Sequence, residues 1–282
     1  MKISAIALLA SVATLLLPVV EGYGEWASFH GLDEQTFHNK FDGYIKLEWV
    51  PTYLSGFTNS HGNVSYNIVV ENPEKYPSWH TYYEQTTYDY MNVAKEKKQL
   101  GFRLVQIDGH TGVSVNSFFT IWNHNRNDIP WADHINQSGD EFTKALKDYT
   151  KNGYRLKSLS GYGFSERQQQ FASVWEKVPG PPQRVYIGLT AAEYKIKFDQ
   201  ARKDGYYPVK ISPYNVDTEV RFAGIFEHMD GNAVKPECQW GLTSDEYVKV
   251  FNDWRKKGYK PTVVNGYRDN GNKYAAIFNK FR

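Results

Sequence analysis

Chemistry near neutral pH would fall first to the eight histidines. His80, His110, His124 and His134 crowd one part of the chain, but none has the spacing of a His-Glu-x-x-His helix or another metal-ligand motif. The acid pairs Asp33-Glu34 and Asp245-Glu246 sit where helices begin, and Asp108 and Asp269 sit in turns, where Asp suits the backbone. A catalytic carboxylate pair would have to be assembled from distant segments. Ser160-Gly161-Tyr162-Gly163 lacks the Gly-x-Ser-x-Gly order of a nucleophile elbow, and Ser165 has no activating neighbour. The glycine-rich stretches lack the Gly-Lys-Ser/Thr ending of a phosphate loop. No catalytic residue, metal site or cofactor is expected from any local motif.

What recurs instead is a ring. Phe57, His110, Tyr162, Tyr214 and Tyr267 each follow a turn residue: Gly56, Gly109, Gly161, Pro213 and Gly266. These five are the candidate ligand-binding residues. Exposed along a groove, they would offer large contact area at low entropic cost to a sugar or peptide. Buried, they would hold neighbouring units together. His110 alone departs from Phe or Tyr.

The elements that position these rings repeat about every 52 residues. Gly101-Phe102, Gly153-Tyr154, Gly205-Tyr206 and Gly258-Tyr259 recur at separations of 52, 52 and 53. Before each pair, Thr86-x-x-Asp89, Ser138-x-x-Glu141, Thr190-x-x-Glu193 and Thr243-x-x-Glu246 have the form of a capping box. Apolar residues follow at helical spacing, such as Tyr247, Val250, Phe251 and Trp254. The glycine closes each helix. Lys and Arg in the last turns, as in Arg255-Lys256-Lys257, complement the helix dipole and are not read as binding patches.

After each glycine the pattern alternates, as in Phe102 to Ile107 and Tyr154 to Leu159. A turn and a second strand follow: Phe118 to Trp122, Phe171 to Trp175, Phe222 to Phe226 and Tyr274 to Phe278. A short apolar piece before each helix, such as Val185-Tyr186-Ile187 or Gln239-Trp240, predicts a third strand. The first unit reads as degenerate. Its helix is predicted to start at Leu32-Asp33 and stop at Gly43-Tyr44, with strands over Tyr44 to Val50 and Tyr66 to Val70.

The fold class is therefore α/β, with five strand-helix-strand-strand repeats whose array is either open or closed. Antiparallel hairpins are accompanied by one helix per repeat. Residues 1–22 form a predicted signal peptide, with Lys2, an apolar run from Ala5 to Val20 and a cleavage site before Tyr23. Residues 23–282 form one repeat domain, in units 23–75, 76–127, 128–179, 180–232 and 233–282. Pro179 to Pro182 and Asp230 to Glu237 are linkers between units.

These residues resemble a known family. Leu189-Thr190-Ala191-Ala192-Glu193-Tyr194, Gly205-Tyr206, Gly266-Tyr267 and Tyr274-Ala275-Ala276-Ile277-Phe278 look like the tandem repeat of the N-terminal domain of fungal polyglycine hydrolases. Related bacterial tandem-repeat proteins share it. In that family the resemblance places proteolysis in a following β-lactamase-like domain with a Ser-x-x-Lys nucleophile. No serine here stands three residues before a lysine. No catalytic residue carries over.

The chain holds 33 basic and 31 acidic residues for a net charge of +2, which argues against nucleic acid as a partner. A single cysteine, Cys238, excludes an internal disulfide framework and is expected to be a buried thiol. Asn63-Val64-Ser65 and Asn136-Gln137-Ser138 are glycosylation sequons. Beyond the signal no run is apolar enough to span a membrane.

The expected function is that of a secreted, extracellular, non-catalytic repeat protein. It would bind an extracellular protein or glycan through hairpin loops and exposed aromatic residues. The loops recur in place but not in content: Thr111 to Ser114, Gly163 to Glu166, Asn215 to Thr218 and Arg268 to Gly271. The alternative is a secreted hydrolase, peptidase-like, with an active site assembled between repeats.

Overall fold

The computed structural model describes residues 25–72, 78–112, 115–163 and 168–281. The predicted signal peptide and parts of two turns, Val113-Ser114 and Phe164 to Glu166, lie outside the described residues. The first unit comprises β1 Trp26–Leu32, α1 Glu34–Lys46, β2 Val50–Thr58 and β3 Val64–Glu71. The second comprises β4 Trp79–Gln85, α2 Thr87–Gln99, β5 Phe102–Thr111 and β6 Asn116–His124. The third comprises β7 Trp131–Gln137, α3 Gly139–Lys151, β8 Arg155–Gly163 and β9 Gln169–Glu176. The fourth comprises β10 Gln183–Leu189, α4 Ala191–Lys203, β11 Tyr206–Val216 and β12 Glu219–His228. The fifth comprises β13 Glu237–Leu242, α5 Ser244–Lys256, β14 Tyr259–Arg268 and β15 Asn272–Lys280. Each unit is a three-stranded antiparallel sheet, with its last strand in the middle, as in the order β1-β3-β2.

The local signals act as their chemistry requires. Thr86, Ser138, Thr190 and Thr243 cap their helices in complete capping boxes. One residue past the cap at the other end stand Gly101, Gly153, Gly205 and Gly258, at φ of +76°, +80°, +80° and +75°. Glycine reaches that left-handed geometry without strain.

The first unit is corrected. Its helix does not stop at Gly43 but runs through it to Lys46, the same 13 residues as the other four. Glu48, at φ +63°, occupies the left-handed position that glycine takes elsewhere. The strand predicted over Tyr44 to Val50 begins only at Val50. Glu48 to Gly56 is eight residues, the same step as Gly101 to Gly109. The unit is regular; only its marker residue differs.

The array is closed. Ser55 Oγ of the first unit donates to Val264 O of the fifth at 2.7 Å, and Tyr53 Oη donates to Asn265 Oδ1 at 2.9 Å. Trp26 meets Phe251 edge-on, with ring centroids 5.7 Å apart. The ring has no open end, so the first unit caps nothing; it is a fifth blade. β2, β5, β8, β11 and β14 surround the axis, tied to one another by side chain to backbone bonds such as Gly109 N to Ser160 Oγ, 2.9 Å.

Packing uses a ring at the same place in every helix. Phe37, Tyr90, Phe142, Tyr194 and Tyr247 are buried against the middle-strand rings Tyr66, Phe118, Phe171, Phe222 and Tyr274 of their own units. Burying each such ring contributes roughly 1.5–3 kcal/mol.

Candidate functional site

The five rings flagged in the sequence are 1–6% exposed, which corrects the expectation of exposed aromatics. Phe118 meets Tyr162 edge-on, as Phe171 meets Tyr214, Phe222 meets Tyr267 and Tyr274 meets Phe57. Each contact crosses a seam between units. The glycine one unit earlier makes room. A Cβ on Gly109 would lie 2.6 Å from Tyr162, on Gly161 2.3 Å from Tyr214, and on Gly266 2.2 Å from Phe57.

The second unit solves this seam differently. His110 is smaller than Tyr, and Phe119 moves in over Gly56, 2.3 Å from where a Cβ would be. The position of Phe119 holds Asn67, Ala172, Ala223 and Ala275 in the other units. Tyr66 accordingly meets Phe119 and not His110. The His110 imidazole is buried, its Nδ1 has no hydrogen-bond partner among the described residues, and burial pushes its pKa down to about 4.

One residue before each turn lies a second ring of side chains: Ser55, Asp108, Ser160, Ser212 and Asn265. All five are buried, and each bonds the preceding inner strand. Asp108 Oδ2 accepts from Gly56 N at 3.4 Å, Ser160 Oγ from Gly109 N at 2.9 Å and Ser212 Oγ from Gly161 N at 3.0 Å. Asn265 Nδ2 donates to Ile211 O at 2.7 Å. Two residues deeper stand Tyr53, Gln106 and Lys210. Lys210 Nζ donates to Tyr53 Oη at 2.7 Å, across the ring from the fourth unit to the first.

Above this floor is a cavity of about 290 Å³, lined by Asp108, Ser160, Ser212 and Asn265 and by the rings Phe57, His110, Tyr162 and Tyr214. Tyr267 is not among the lining residues. The mouth is formed by hairpin tips: Thr58, Gly62, Thr111, Asn215, Asp217 and Arg268. Neighbouring tips are bonded to each other, as in Thr58 Oγ1 to Thr111 O at 2.7 Å and Asn215 Nδ2 to Arg268 O at 2.7 Å. Among the described residues, these bonds hold the tips of the first and second units, and of the fourth and fifth, against each other.

The floor carries opposite charges. Burial raises the Asp108 pKa, an effect partly offset by Lys210, and burial lowers that of Lys210, partly offset by Asp108. From sequence, Asp108 reads only as a turn residue, and Lys210 carries no signal of its own. The available signal is the column of polar residues immediately before each turn.

A family model described as polyglycine hydrolase-like, structural repeat, matches residues 23–73, 77–125, 128–178, 180–229 and 233–281. The chain belongs to this family. In this polyglycine hydrolase-like repeat protein, features common to the units build the ring. Asp108 and Lys210 are the charged members of their columns and His110 the one imidazole of its own; Asp108 and His110 line the axial cavity, and Lys210 lies beneath it.

The other sequence candidates lie apart from the axial floor. Asn63 is exposed at the tip between β2 and β3. Asn136, at φ +56°, is half-buried; its Nδ2 donates to Thr87 Oγ1 and its Oδ1 accepts from Tyr162 Oη. Cys238 is a free buried thiol, its pKa raised by burial. A Ser–His contact occurs at the closing seam, where His30 Nε2 lies 2.9 Å from Ser244 Oγ. Burial pushes the His30 pKa down to about 4, which makes its imidazole a weak base. Among the described residues, no group of three or more His, Cys, Asp or Glu could hold a metal ion. Nor is any described helix long and apolar enough to cross a membrane.

Proposed function

We propose that the protein is a secreted binding module whose ligand enters the axial cavity between the hairpin tips. The observation that carries this reading is a dead-end cavity with a hydrogen-bonding floor and ring-lined walls, at the end where the tips converge. At roughly 30 Å³ per water it has room for about ten waters, the lower end of small-ligand sites. The apolar run after Lys2 supports export, and an exported chain would carry a glycan at exposed Asn63. Asn136 is the poorer acceptor, because its amide is held on both sides. The hydrolase alternative has less support: Ser160 Oγ donates to Asp108 Oδ1 at 3.2 Å, but among the described residues no bonded histidine completes a nucleophile–base–orienter set there.

The test is ligand-observed NMR of the full mature chain against a library of neutral sugars, primary amines and short peptides. Thr58→Trp, a substitution at the mouth, serves as the blocked control. The expected result is at least one compound that binds the wild type and loses binding in folded Thr58→Trp. Binding that ignores this substitution, or none from any class, overturns the reading.

A further inference from the structure

The chemistry of the floor narrows the ligand, granted the axial site proposed above. The floor offers donors and acceptors together. Ser212 accepts from a backbone N–H, which leaves its hydroxyl proton to donate. Asp108 is a buried carboxylate with room for about four hydrogen bonds. Its contacts are long: Gly56 N at 3.4 Å and Ser160 Oγ at 3.2 Å. It is short of donors, and a cavity opens beside it. His110, whose Nδ1 has no partner among the described residues, lines the same cavity.

Charge decides between donor classes. Asp108 lines the floor and Lys210 lies beneath it with the opposite charge, and Asp217 and Arg268, of opposite sign, both line the mouth. An ammonium at Asp108 would leave the buried site with an excess positive charge beside Lys210. A carboxylate would leave excess negative charge beside Asp108. Either excess is costly away from water. A neutral group with several hydroxyls satisfies Asp108, Ser212 and Asn265 without that cost.

The shape decides how the ligand lies. Tyr53 Oη, held by Lys210 Nζ and donating to Asn265 Oδ1, joins three units across the axis beneath the cavity. The cavity is open at the tips and plugged below. It admits the end of a chain and not its middle. We propose that the axial cavity binds the terminal residue of a neutral carbohydrate, with Asp108 accepting from its hydroxyls and Ser212 donating to it.

The same NMR assay on neutral monosaccharides, and on oligosaccharides ending in the same residue, tests this. Both sources should bind through the terminal residue and lose binding in Thr58→Trp. Asp108→Asn and Ser212→Ala, each checked for folding by circular dichroism, should weaken binding about tenfold or more, the loss expected for a bond at a buried site. Mouth-dependent binding of amines or peptides, but not sugars, overturns the carbohydrate proposal while leaving the axial site standing. Sugar affinity unchanged in both folded variants overturns it as well. Absence of any mouth-dependent ligand removes both.

Discussion

Lys260 Nζ of the fifth unit lies 2.5 Å from Glu71 Oε2 of the first. The same pairing recurs between consecutive units: Arg155 with Glu227 at 2.6 Å, and Arg103 with Glu176 at 3.5 Å. The other two seams have neutral residues in both places, Val50 opposite Asn123 and Tyr207 opposite Asn279. Charge is present on both sides of a seam or on neither. A register that placed Glu71 against Tyr207, or Lys260 against Asn123, would bury a charge without its partner, so the pattern favours one order of closure.

The pair should therefore be coupled. Glu71→Gln and Lys260→Met are each expected to destabilise the protein by about 1–3 kcal/mol. The double variant should lose less than the sum, because neither charge is then left unpaired. Urea denaturation of the four proteins measures the coupling. Strict additivity would mean that the contact contributes nothing to closing the ring.

Glu48 bears on the same first unit. At φ +63° it holds a conformation that costs a non-glycine residue about 1 kcal/mol or more, whereas Gly205 at φ +80° holds its equivalent freely. Glu48→Gly should stabilise the protein by roughly 0.5–1 kcal/mol, and Gly205→Ala should destabilise it by about as much. Thermal unfolding should rise for the first and fall for the second. A fall for both would show that the Glu48 side chain makes an unrecognised contribution.

That residue also explains what can be read from the sequence. Four units announce themselves through Ser or Thr caps and closing glycines, two signals fixed by local backbone chemistry. The first has Asp33 as its cap, without a capping box, and Glu48 at its close, so Gly43 reads falsely as the end of the helix. Closure of the ring is not legible, because it rests on Ser55, Tyr53 and Glu71 meeting residues about 200 positions away. The five rings are visible in the sequence, but their burial is set by neighbouring units and not by the residue type. Asp108 and Lys210 are 102 positions apart, and only the curl of the ring brings them to one axis.

The exchange between His110 and Phe119 can be reversed. His110→Tyr alone places a second large ring where Phe119 already fills the space over Gly56, at a cost of about 1–3 kcal/mol. Phe119→Ala alone leaves a cavity and should cost about 3–5 kcal/mol. Together they recreate the arrangement of the third unit, Tyr162 over Gly109 with Ala172 behind. The double variant should recover most of the stability lost by Phe119→Ala in chemical denaturation. Losses that simply add would mean that the two positions do not share one space.

Acid should weaken the ring through its buried histidines. Burial lowers the pKa of His30 and His110 from 6.5 to about 4 in the folded protein. Between those values the unfolded chain takes up protons that the folded chain refuses, so stability is intact above pH 6.5 and falls as the pH drops toward 4. The two sites together should cost several kcal/mol over this window, because each tenfold change in proton affinity is worth roughly 1.4 kcal/mol. The carboxylate in the floor acts in the opposite direction: a raised Asp108 pKa favours the folded state when that group is protonated. Burial also lowers the His80 and His134 pKa values, which act in the same direction as His30 and His110, so a net loss is expected on acidification. Replacing His30 with Phe, beside Tyr247 and Tyr274, should flatten part of the profile between pH 6.5 and 4, while the lost bond to Ser244 lowers stability uniformly. Urea midpoints measured across that range for wild type and His30→Phe would decide it, and parallel profiles would show that His30 does not titrate as a buried base.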